Sequence, residues 1–224
     1  MRTKNSIINS LVGLASYVIL LIGPLALSPV LASLGSEILG IQKTFMDTVA
    51  LLNIVELGIS FGVIYKLYKP IAENDIEKIA ILLNFYKNTF KIIALILTSL
   101  GLLTAVIMPQ LVPEHDASKF SDNWLVWMFL LYLADTLATY LFGHKRAMLI
   151  ADQRNYLVSI CRTSCQVLMY IFQLISVCHF RSFELYVVSK LFCTLLDSVF
   201  IHVIYNLKYK NIDFFFHEWI IMYI

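Results

Sequence analysis

Six apolar runs, each close to the length that crosses a bilayer, constrain this chain more than any other feature. They lie at about 8–32, 44–64, 92–112, 124–142, 157–178 and 183–205. A helical crossing takes about 20 apolar residues. None of the runs alternates with the period of a barrel strand, and backbone groups in lipid must bond within their own segment, so the runs read as helices. A chain of 224 residues has room for about six or seven such spans with their loops and for no separate soluble domain. Hydrophobic types make up 59% and charged types 14%. A soluble chain of that make-up lacks the polar groups to cover its own surface, which excludes a soluble enzyme and a disordered protein. The net charge of +2 offers no broad basic face for nucleic acid. The fold class expected is all-α, a polytopic bundle of six transmembrane helices.

The first run is too long for a cleavable signal peptide and is not followed by a polar mature chain. Pro24 and Pro29 lie inside it and predict a broken or hinged helix, since proline removes a backbone donor. Basic residues set the orientation. One set of span ends carries Arg2, Lys4, Lys66, Lys69, Lys78, Lys87, Lys91, Lys145, Arg146, Arg154, Lys208 and Lys210; the other carries Lys43, Lys119 and Arg181. The bias alternates across all six spans and places both termini in the cytoplasm. The region 70–91 reads as a short surface helix with Asn74 and Glu77 as a capping pair, and Ser121 or Asp122 as the cap of the fourth span.

Polar residues inside the spans point to function. A charge at the bilayer centre costs roughly 2.5–3.5 kcal/mol on insertion scales, so such residues face the bundle interior or a wet cavity. The second span carries Asn53, Glu56 and Ser60 at helical spacing, with Gly58 and Gly62 as a small pair for close helix approach. The fourth carries Tyr132, Asp135, Thr136 and Thr139; the fifth Arg162, Gln166, Tyr170 and Gln173; the sixth Lys190, Thr194 and Asp197. Such stripes serve either as interhelical glue, with Glu56 or Asp135 neutralising Arg162 or Lys190, or as the lining of a translocation cavity. Four stripes on six spans exceed what packing needs and favour the cavity. The cavity candidates are Asn53, Glu56, Asp135, Thr139, Arg162, Gln166, Lys190 and Asp197.

No enzyme signature accompanies them. There is no Asp-rich metal motif and no GxSxG elbow, and eight glycines form no phosphate cradle. Cys161, Cys165, Cys178 and Cys193 lack zinc-site spacing and read as small buried hydrophobes. The five histidines scatter near span ends. Neither a metal nor a cofactor is expected.

Four segments in order carry a family resemblance. LGSEILGI at 34–41 follows the first span, whose leading segment is RTKNS at 2–6. VELGI stands at 55–59, YKLYKPIAEND at 65–75 and KRAMLIADQRNY at 145–156. This succession resembles the N-terminal half of bacterial polysaccharide-repeat flippases of the multidrug/oligosaccharidyl-lipid/polysaccharide exporter superfamily, over residues 2–210. The resemblance implies a six-helix lobe, 1–210, of a two-lobed transporter in the bacterial cytoplasmic membrane. Its partners would be an undecaprenyl-diphosphate-linked oligosaccharide, membrane lipids and a second lobe, either another copy or a separate C-terminal half. It also implies cations that meet the diphosphate, here Arg162 and Lys190 within the membrane, and at the cytoplasmic mouth Lys145 and Arg146, read primarily as positive-inside anchors. Asp152 and Gln153 complete the mouth candidates. Two departures stand out. Many members carry an arginine before the LG motif where this chain has Leu27, Ser28 and Pro29. The aromatic tail at 211–224 does not continue the family pattern and reads as an interfacial, truncated or frameshifted end. The rival readings are an inactive remnant and a cation-coupled drug antiporter using Glu56 or Asp135.

Overall fold

The computed structural model describes the backbone of residues 2–56, 59–112 and 120–209, and their side chains except at 2–6 and 55–60. All regular structure among these residues is helical: α1 (Arg2–Ala32), α2 (Ser36–Leu52), a 3-10 turn (Asn53–Glu56), α3 (Ile59–Glu73), α4 (Ile76–Leu111), α5 (Asp122–Tyr140), α6 (Gly143–Ala151), α7 (Asn155–Cys178) and α8 (Phe183–Lys208). Four helices are long and apolar enough to cross a membrane: α1 from Ile7, α4, α7 and α8. A fifth crossing is available if α5 and α6, bent by 44° across a short break, are taken as one broken span.

The second expected span departs from a straight crossing. The apolar run at 44–64 is divided between α2 and α3, helices of 17 and 15 residues, with the 3-10 turn between them. Each is shorter than a bilayer crossing. The turn begins at Asn53, whose type competes for local backbone bonds and sits poorly inside a helix. The even face drawn through Asn53, Glu56 and Ser60 is therefore interrupted; the side chains of Glu56 and Ser60 lie outside the described residues.

Residues 70–91 do not form a separate surface helix. The last turn of α3 ends at Glu73, and α4 then runs 36 residues without interruption. At 1.5 Å per residue that is about 54 Å, well beyond a hydrocarbon core of about 30 Å. The joint is a Schellman turn. Asn74 takes the left-handed conformation (φ 54°), its N–H donates to Ile71, and the Asp75 N–H reaches back to Pro70. Asp75, not Asn74, caps α4. Its Oδ1 accepts from the Lys78 N–H at 3.0 Å and its Oδ2 from Lys78 Nζ at 2.6 Å. The Lys78 bonds hold the Asp75 carboxyl below its usual range. Ser121 caps α5 as expected, accepting from the Trp124 N–H. The polypeptide of α1 continues as one helix through Pro24 and Pro29.

In space α1 packs on α7, α7 on α8, α8 on α5 and α5 on α4, while α6 bridges α3, α4, α7 and α8. Two glycines set the close approaches. A Cβ on Gly23 would stand 2.0 Å from the Tyr170 ring, and one on Gly101 would stand 2.5 Å from Leu133. The expected small pair does not act this way: Gly62 faces open space and Gly58 lies outside the described residues. Buried apolar residues form two main clusters. One joins α2, α4, α5, α7 and α8 around Phe45, Met108, Leu125, Phe129 and Val187. The other joins α3, α4, α5, α6 and the end of α8 around Leu67, Leu83, Tyr86, Met148 and Tyr205.

Candidate functional site

Beside the second cluster, α5, α6, α7 and α8, with residues of α3 and α4, line a half-open cavity of about 420 Å³. Its polar lining comes from the helical spacing of each element. Asp135 and Thr139, four apart, project from α5. Arg162 and Gln166, four apart, project from α7, and Lys190, Thr194 and Asp197 from α8. Arg146 enters from α6, and Tyr86, Phe90 and Tyr140 supply aromatic wall.

Two ion pairs cross the space. Lys190 Nζ lies 3.1 Å from Asp135 Oδ2. The Thr194 hydroxyl donates to the other oxygen of Asp135 at 2.5 Å, and the Lys190 ammonium sits 4.5 Å from the centre of the Tyr132 ring. Both Asp135 oxygens and the lysine are thus engaged. The second pair joins Arg146 Nη2 to Asp197 Oδ2 at 2.6 Å. It is a single-point contact: Arg146 Nε and Asp197 Oδ1 are buried and make no hydrogen bond, as is Gln166 Oε1.

Among the described residues, three cations (Arg146, Arg162, Lys190) and two carboxylates (Asp135, Asp197) line the cavity. Among the same residues Arg162 makes no hydrogen bond or salt bridge and acts on Asp197 and Tyr170 only through space. Arg162 itself is exposed, while the neighbouring Arg146 Nε, Gln166 Oε1 and Asp197 Oδ1 are buried without a partner, which is unusual for buried polar atoms. The lining can hold an anion through the guanidinium groups and hydroxyls through Gln166 and Thr139. Among the described residues no three His, Cys, Asp or Glu side chains converge as metal ligands.

Six of the eight expected cavity residues line this space: Asp135, Thr139, Arg162, Gln166, Lys190 and Asp197. Asn53 does not, but its Oδ1 accepts from the hydroxyl of Tyr140 at 3.3 Å, one step behind the wall. Glu56 falls among the residues whose side chains are not described. The mouth group separates. Arg146 lines the cavity. Lys145 is buried elsewhere, donating to Asn206 Oδ1 at 2.7 Å and lying over the Tyr205 ring at 4.6 Å. Asp152 and Gln153 are structural. Asp152 Oδ2 receives Arg154 Nε at 2.7 Å and the Tyr209 hydroxyl at 2.6 Å. Burial and that carboxylate push the Tyr209 phenol upward in pKa. Gln153 is the left-handed residue (φ 57°) of the turn ending α6, and its carbonyl accepts from Asn9 Nδ2 at 3.0 Å. Asn9 Oδ1 in turn accepts from the Tyr156 N–H at 2.7 Å, so one α1 side chain staples the α6–α7 joint.

Sequence reasoning passed over Cys165, Cys193 and Met169 as lining residues. Their signal was present in the spacing: Cys165 is three residues from Arg162, and Cys193 three from Lys190. Asn9 and Asn206 carried no such signal, since each bonds a partner distant in sequence. Compared with protein-family models, curated proteins and solved structures, the chain gives no significant match.

Proposed function

We propose that this chain is one lobe of a membrane transporter that carries undecaprenyl-diphosphate-linked oligosaccharides across the bacterial cytoplasmic membrane for polysaccharide assembly. The observation that carries the reading is Arg162, which among the described residues lines a cavity of about 420 Å³ with no direct partner, beside buried unbonded atoms of Arg146, Gln166 and Asp197. A diphosphate supplies negative charge and the bidentate oxygens that guanidinium groups favour. Sugar hydroxyls match the amide and hydroxyl groups of the same lining. The ordered segments from 2–6 to 145–156 support the same family.

In this reading the chain crosses the membrane six times with both termini cytoplasmic. The α2–α3 pair then serves as a broken second span and α5–α6 as a bent fourth. Discontinuous helices beside a mid-membrane site are a recurring transporter device. A second lobe, another copy or a separate C-terminal half, completes the path. An antiporter would use Glu56 or Asp135 as its ion site; Asp135 is held by Lys190, and the side chain of Glu56 lies outside the described residues.

The test is rescue of a flippase-deficient, capsule-bearing strain. The chain restores capsule when expressed alone or beside the C-terminal half of a full-length homologue. Failure of both, with membrane expression confirmed, overturns the transport reading in favour of an inactive remnant.

A further inference from the structure

Two consecutive side chains tie α6 to α8. Arg146 reaches Asp197 at 2.6 Å and Lys145 reaches Asn206 at 2.7 Å. Residues 197 and 206 are about 13 Å apart along α8 at 1.5 Å per residue, so the two ties brace α6 in opposite directions. They differ in quality. Lys145 is buried outside the cavity and has the Tyr205 ring beneath its ammonium. The Arg146–Asp197 contact borders the cavity and is half made: Nε of the guanidinium and Oδ1 of the carboxylate are buried without a hydrogen bond. A fork-to-fork pair would have used both. Both ties lie in the first turn of α6, next to the 44° bend at which it meets α5 across Leu141 and Phe142. A short break between two rigid helices is where a chain absorbs a change of angle.

We propose that the Arg146–Asp197 pair is a latch on α6 that an anion entering the cavity releases, letting α6 turn about the break at 141–142. The inference rests on the anionic-substrate reading above and adds its regulation. A phosphate group offers Arg146 the bidentate partner that Asp197 does not, and brings like charge beside Asp197. Arg162, within electrostatic reach of Asp197, is the second cation available to that anion. Binding thus favours the released arrangement, and the shift equals the anion's preference for it over the latched one. Asp197 is a positioning residue in this scheme: it holds Arg146, and through it α6, in the empty protein.

The native thiols report the motion. Cys165 and Cys193 line the cavity, whereas Cys178 is exposed at the far end of α7. The full chain in lipid nanodiscs is labelled with N-ethylmaleimide, and the rate at each cysteine is read by mass spectrometry. Asp197→Asn speeds labelling of Cys165 and Cys193 about tenfold, the lower end of what losing one charge-assisted bond does to an opening equilibrium, and leaves Cys178 unchanged. The exchange of Arg146→Asp with Asp197→Arg returns both rates toward wild type. Inorganic pyrophosphate speeds the same two cysteines in the unaltered protein and adds nothing in Asp197→Asn. Wild-type rates in Asp197→Asn overturn the latch and leave transport to be judged by rescue. Acceleration in Asp197→Asn without any response to pyrophosphate in the unaltered protein overturns release by an anion; rescue of the deficient strain in that case keeps the transport reading standing alone.

Discussion

The cluster around Phe45 and the cavity beside it differ in how their space is filled and in how many of their polar atoms find partners. In the cluster, rings fill the space. Phe45 lies edge-on to Phe129 and Tyr132, with centroids 5.7 and 5.5 Å apart. Gln42 Nε2 donates to the Tyr186 hydroxyl at 2.9 Å and Trp124 Nε1 to Glu184 at 2.7 Å, while the buried Tyr132 hydroxyl is left without a partner. In the cavity, among the described residues, Arg162 has no direct partner and three buried polar atoms, on Arg146, Gln166 and Asp197, are unbonded. A bundle held together only by packing gains nothing from such gaps, since each unmet buried group costs about 1–3 kcal/mol. Substitutions can test whether this difference divides residues that hold the fold from residues that serve the proposed ligand.

The largest effect belongs to the packed side. Phe129→Ala lowers stability by about 3–5 kcal/mol, the usual loss for a buried aromatic ring, read as a fall in the midpoint of detergent-solubilised thermal unfolding. Lys190→Met comes next. It strands the Asp135 carboxylate, at a cost of about 2 kcal/mol after allowing for the lysine's partial exposure; the double change with Asp135→Leu recovers most of it, because two apolar groups leave no charge behind. Equal losses in the single and double variants would show that the pair is not coupled. A smaller effect of opposite sign is expected at the α6–α7 joint. Gln153→Gly relieves a side chain held at φ 57° and raises stability by about 0.5–1 kcal/mol.

Much of this contrast was legible in the sequence, and the reason is periodicity. On α7 and α8 the polar positions recur every three or four residues inside long apolar helices, so Arg162, Gln166, Lys190 and Asp197 were placed on inward faces without knowing their partners. At Asn53 a 3-10 turn breaks the phase that the same arithmetic assumes, and the side chains of Glu56 and Ser60 lie outside the described residues. The arithmetic also missed Arg146 as a lining residue. That residue sits in a basic cluster, and a positive-inside bias looks the same whether the side chain reaches lipid headgroups or a cavity. Nothing at Leu141 or Phe142 announces the bend between α5 and α6. Pairing was equally hidden. Asp135 chose Lys190 over Arg162 because α5 packs on α8, a tertiary fact that no single helix records. At residue 74 the side chain alone suggested a cap, but Asn also tolerates the left-handed conformation, and the turn used it that way.

The smallest expected change in stability is the most discriminating. Arg162 is exposed within the chain and, among the described residues, makes no hydrogen bond or salt bridge, so Arg162→Gln removes no bond from the fold and shifts stability by no more than about 0.5 kcal/mol. If the cavity holds an anion, that substitution removes the cation that is uncommitted among the described residues. Capsule rescue then falls sharply while expression and unfolding midpoint stay at wild-type values. Arg162→Lys keeps the charge but loses the planar fork, and gives intermediate rescue, since lysine meets phosphate as a point charge. Full rescue by Arg162→Gln would remove the distinction between the two regions: the unpaired guanidinium would then be one more polar group that the bundle tolerates, and the cavity would lose its claim to a charged ligand.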